Sequence, residues 1–232
     1  MVTTTTVTDA LLAFVIAAGI IYLRRTTPAS PLRTLWFVTL AVSAAGALVG
    51  GSLHVIPMSE STSITAWGAL YLFLGIAISC LVAAAIGAWR GYTAARRLLP
   101  FILGFTLVFS AMTQFTAEHA MISAVYEAAA LVFALAVFGM LAIRGQPGMG
   151  LVTIGLLITI TGAAVAGVDS LEVRVIWVFD RNGLSHIGHV IGLAILIWGL
   201  RTVLLTAGTR DSERDKGQGQ VNRDERRARV DR

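Results

Sequence analysis

The chain is almost without lysine. Lys216 stands alone against seventeen arginines. It lies in the final charged stretch, outside every apolar run, so a Schiff-base lysine inside a helical bundle, as retinal proteins need, is excluded. Cysteine is equally scarce. Cys80 has no second cysteine to pair with, and as a small apolar residue in mid-run it needs no further role. Charged residues make up only 13% of the chain and leave seven long stretches nearly empty. No GxSxG, CxxC, P-loop or dinucleotide-binding glycine pattern occurs. The "GMG" at 148–150 reads as a loop-to-helix start. The opening "MVTTTT" carries no basic residue, and Arg24 and Arg25 follow the first apolar run. A retained first helix is therefore expected in place of a cleaved signal peptide.

What remains is strongly apolar. The 232 residues are 56% hydrophobic, with a mean hydropathy of +0.78. A soluble domain is not so apolar. Seven runs approach the roughly 20 residues that a membrane crossing needs: 7–23, 32–55, 64–89, 98–115, 120–143, 150–168 and 186–206. They are rich in Ala, Leu, Gly and Val and do not alternate in polarity, which argues for helices over a membrane barrel. The expected fold is all-α: a polytopic membrane bundle of seven transmembrane helices over 1–207. Residues 208–232, mixed in charge and nearly free of apolar side chains, are expected to form a disordered tail. That tail either fixes topology or meets anionic lipid or a partner.

The charge map orients the bundle. Arg24, Arg25, Arg33, Arg90, Arg96, Arg97 and Arg144 follow the odd-numbered runs, and the alternate loops hold only Arg174 and Arg181. The positive-inside rule then puts the N-terminus outside and the C-terminus in the cytoplasm. Trp36 and Trp89 fall at the inner interface, Trp67 and Trp177 at the outer one. Asp9, Glu60, Glu118, Asp169, Glu172 and Asp180 are expected at the outer surface, with Glu127 within the outer half of the fifth run. All four histidines of the chain fall in the same leaflet.

Those histidines are the candidate chemistry. His186 and His189 open the seventh run three residues apart, so both imidazoles share one helix face. His54 ends the second run behind Ser43, Gly46 and Gly50, a small face that allows close helix packing or leaves room for a ligand. His119, Ser123, Tyr126 and Glu127 follow one face of the fifth. Glu127 lies about 12 Å deeper than His119. An ionisable group there costs roughly 2.5–3.5 kcal/mol on insertion scales, so it is not expected to face lipid. Base, relay, metal ligand or structural carboxyl all remain open for it. Imidazoles from three helices at one depth point to a metal, and zinc, copper, iron and nickel all suit them. Asp180 is either a helix cap or a carboxylate that orients a ligand histidine. One haem with two axial histidines is a further use. Two stacked haems are not, because His186 and His189 differ by only about 4.5 Å in depth.

Seven helices, a histidine ending helix two and a histidine pair opening helix seven resemble the CREST superfamily, which contains alkaline ceramidases and the progestin/adiponectin receptors. The resemblance implies zinc on His54, His186 and His189 and a water activated to hydrolyse an amide or ester of a lipid. This chain has HxxH where that family has HxxxH, and Gly50 where the family has a serine. The chain also looks like small bacterial seven-helix proteins with "TD" before the first apolar run and "GG..H" closing the second. Here these are Thr8-Asp9 and Gly50-Gly51-Ser52-Leu53-His54. The resulting expectation is a multi-pass protein of the cell membrane with a histidine-lined outer metal site. As a zinc-dependent hydrolase of a lipid or amphiphile, it would use His119 as fourth ligand or electrophile and Glu127 or Glu118 as base. Ser52, Asp180, Tyr126 and Ser123 would support these groups. The other class is a metal- or proton-responsive carrier, sensor or assembly factor. Nucleic acid is not an expected partner.

Overall fold

The computed structural model describes residues 4–113, 119–167, 173–174 and 178–230, with side chains placed for 4–112, 121–167 and 179–208. Seven helices account for nearly all of this: α1 Thr4–Thr26, α2 Pro31–Leu53, α3 Glu60–Arg90, α4 Tyr92–Thr113, α5 His119–Ile143, α6 Met149–Ala166 and α7 Arg181–Val230. The only strands among the described residues are two of two residues each. Val173 pairs with Phe179 and Arg174 with Val178, antiparallel, just before α7. Each helix holds a stretch long and apolar enough to cross a membrane. The all-helical expectation stands.

Local sequence explains the helix ends. Ser30 caps α2 by accepting from the Arg33 N–H, with Pro31 at the first helical position. Ser59 caps α3 through Thr62 N. Between α3 and α4 a single residue, Gly91, turns the chain with φ of 90°, a conformation that strains any side chain. So α4 starts at Tyr92, six residues before the expected apolar run, and carries Arg96, Arg97 and Pro100 inside it. Arg96 and Arg97 are thereby helical, where a loop was expected. α7 is also longer than its apolar part, which ends at Gly208. Its backbone stays helical to Val230 through the charged stretch expected to be disordered. Arginine, a good helix former, is the commonest residue of that stretch.

Packing joins α1, α2, α3, α5, α6 and α7 in order, and α7 closes back on α1; α4 lies outside, mainly against α3. Fully buried side chains such as Ile16, Trp36, Leu40, Phe138, Leu156 and Leu200 form one core. The tightest junction is α6 with α7. Gly148, Gly155 and Gly162 recur every seven residues on α6. A Cβ on Gly148 would sit 2.5 Å from the Gly199 carbonyl, on Gly155 2.5 Å from the Gly192 carbonyl, and on Gly162 3.0 Å from the Ser185 carbonyl. On α7 those partners, 199, 192 and 185, are again seven apart, running the other way. Two antiparallel helices thus meet backbone to backbone along a heptad seam, where only glycine or a very small residue fits. By contrast α1 and α7 run parallel. Thr5 meets Asp180, Thr8 meets His186, Gly19 lies under Ile197 and Gly208 under Pro28.

A carboxylate–imidazole pair between helices α1 and α7

The first turns of α1 carry Thr5, Thr8 and Asp9 on one face, at i, i+3 and i+4. All three are buried, and Asp9 is only 4% exposed. This corrects the expectation that Asp9 belongs to an acidic outer surface. The reason is local. α2 presents Gly50 and Gly51 to it: a Cβ on Gly51 would come within 3.0 Å of the Asp9 Cβ, and one on Gly50 within 3.8 Å of Asp9 Oδ2. The paired glycines make the space, and α7 supplies the partner. His186 Nδ1 lies 3.4 Å from Asp9 Oδ1 and 3.2 Å from the Thr8 hydroxyl. Thr8 also donates within its own helix, to the Thr4 and Thr5 carbonyls at 3.0 and 2.9 Å. A second carboxylate borders the pair. Asp180 accepts from Gly183 N at 2.8 Å, capping α7, and from the Thr5 hydroxyl at 3.1 Å on each oxygen. Of its two expected roles it fills the cap, while the carboxylate facing a histidine is Asp9. His189 follows one turn on. Its Nδ1 is 3.5 Å from the Ser185 hydroxyl, and its ring centroid 6.2 Å from that of His186. Ser185 is also the last position of the α6–α7 seam, so the site is tied to the tightest packing in the molecule.

The other expected ligands go elsewhere. His54 is the C-cap of α2 and is exposed, with its ring edge-on to Trp67 at 5.4 Å between centroids. His119 begins α5, but its side chain is not among the described ones, and Glu118 lies outside the described residues. Ser52 is exposed and donates to the Leu48 carbonyl at 2.8 Å. Ser123 is half-buried. Tyr126 belongs to a separate interior cluster. Its hydroxyl is 2.7 Å from that of Thr106 and 3.4 Å from that of Ser79, which joins α5 to α4 and α3. Glu127 is half-buried and continues the core-facing row of Leu131, Ala134, Phe138 and Leu141.

Among the described residues no zinc site is assembled, and the expected ligand His119 lies outside the placed side chains. No three His, Cys, Asp or Glu side chains among the described residues could hold one ion. His54 is directed to Trp67, and Asp9 is spent on His186 Nδ1. Haem does not fit the pair either. His186 and His189 lie on one helix with rings 49° apart, so they cannot take opposite faces of one macrocycle. What the arrangement can do is hold and exchange a proton. A carboxylate and an imidazole in contact inside an apolar bundle share their protonation.

Fold and site define a class: an all-helical bundle of membrane-crossing length with a buried aspartate against a half-buried histidine between its first and last helices. The chain belongs to the family of unknown function DUF6962, which matches residues 4–205. No curated protein and no solved structure matches it.

Proposed function

We propose that this is a multi-pass membrane protein that responds to protons, with the Asp9–His186 end outside the cell. The observation that carries the reading is a carboxylate 4% exposed lying 3.4 Å from an imidazole nitrogen on another helix. Ionisable groups in a span are expensive and mark function by default. The orientation rests on the eight of ten pre-tail arginines that fall at the opposite end.

The mechanism follows from charge. With one proton between them, Asp9 and His186 are neutral overall, either as an ion pair or as acid and neutral imidazole. A second proton leaves a buried positive charge, and removal of the first leaves a buried negative one. Either costs several kcal/mol of desolvation. Both departures weaken the α1–α7 junction, and α7 continues from that junction to the charged stretch beyond Gly208. Among the described residues, the titratable groups bordering the pair are Asp180 before α7, joined to Thr5, and His189 on α7 itself.

Thermal unfolding of detergent-purified protein across pH tests this. Wild type should be most stable at intermediate pH and fall off on both sides. Asp9→Asn removes the group that leaves a negative charge, so its alkaline limb should flatten while the acid limb stays. His186→Gln should do the reverse. Three superimposable profiles would end the proposal.

A further inference from the structure

We propose that the opposite end of the α1–α7 groove binds the phosphate of an anion, supplied in a membrane by an anionic lipid headgroup. The proposal is independent of the proton-responsive reading. Its centre is Arg201. The Nε of Arg201 is the one buried side-chain nitrogen or oxygen without a hydrogen-bond partner among the described residues. Other arginines at this end differ. The Arg33 guanidinium donates to the Thr27 carbonyl at 2.6 Å and lies over Phe37, and Arg90 lies over Trp89 at 4.2 Å. Arg24, Arg25, Arg96, Arg97 and Arg144 are exposed to whatever surrounds them.

Position on the helix shows where Arg201 sits. It shares a face with Ile197, Leu204 and Gly208, the face that meets Gly19 of α1 and Pro28 just beyond it. Three residues earlier Trp198 is 66% exposed, on the lipid-facing flank. Arg201 therefore stands at the rim of the groove, between packed and lipid-facing surfaces. With α1 and α7 parallel and about 178 residues out of step, Arg201 is level with Leu23, beside Arg24 and Arg25 in the last turn of α1. Among the placed side chains no acid lies at this end. The acidic side chains with placed atoms are Asp9, Glu60, Glu127 and Asp180, all toward the other end of their helices or of the bundle. The next acid along α7 is Asp211, ten residues or about 15 Å further on. A half-buried guanidinium with an unused donor, at the level of the helix turn that carries Arg24 and Arg25, matches a phosphate oxyanion. Guanidinium binds such groups through paired N–H donors, and tryptophan settles at headgroup depth.

The test is native mass spectrometry of the purified full chain with an equimolar mixture of phosphatidylglycerol and phosphatidylcholine, and separately with inorganic phosphate. Wild type should retain phosphatidylglycerol preferentially. Arg201→Gln should lower that preference about fivefold, the weight of one arginine at an anionic surface, while Arg33→Gln leaves it within twofold. Arg201→Lys keeps the charge and guards against loss through misfolding; it should retain part of the preference. Phosphate adducts that vanish in Arg201→Gln would support the site with free phosphate as its source. Phosphatidylglycerol adducts without phosphate adducts would support the lipid. An unchanged preference in Arg201→Gln, or an equal loss in Arg33→Gln, overturns the proposal.

Discussion

At the scale of single residues, the chain keeps few ionisable groups in its spans, and their fates differ. Asp9 has a partner and a space made by Gly50 and Gly51. Gly51→Val should therefore push Asp9 off His186 and destabilise by about 1–3 kcal/mol, the usual cost of overpacking. Denaturant unfolding reads this, and no loss would show that Asp9 has room to move. Glu127 is half-buried and lies on the core row of α5. Glu127→Leu should raise the unfolding midpoint, since an ionisable group within a span costs roughly 2.5–3.5 kcal/mol on insertion scales. A lower midpoint would reveal a stabilising contact to the carboxyl. The Thr8-Asp9 and Gly50-Gly51 pairs were both visible in the sequence. What was not visible is that they touch, because α1 and α2 meet only after folding.

Among the elements, the α6–α7 pair is the rigid unit. Its glycines recur every seven residues on both helices and place carbonyls 2.5 Å from where a Cβ would stand. Gly192→Leu should separate the helices and cost on the order of 3 kcal/mol or more, above the usual range for overpacking because the obstacle is backbone. The same change at Gly104, which has open space around it, should cost little. Equal unfolding midpoints for the two variants would refute the seam. Helix number and approximate limits were legible from apolar run length alone. The start of α4 was not, because Arg96 and Arg97 read as a loop, while Gly91 completes the turn by itself.

For the whole molecule, orientation is the property from which the others take their meaning. With eight of ten pre-tail arginines at one end, a reporter fused after Arg232 should be active only in the cytoplasm. Activity on the outer side would place the Asp9–His186 pair inside the cell and turn the proposed response to an internal one.

The sequence by itself determined the class of fold, because apolar length and the lack of alternating polarity leave helices as the way to satisfy the backbone in lipid. It also determined that His186 and His189 share a face, since both lie within one turn of one helix. Tertiary structure decided which groups meet. Contact between α1 and α7 joins residues about 178 positions apart, and rotation of each helix about its axis selects the inward side chain. For Asp9 the space comes from Gly50 and Gly51 on α2. Helix rotation sent His54 to Trp67 and gave His186 to Asp9, a carboxylate–imidazole contact that the histidine positions alone did not show.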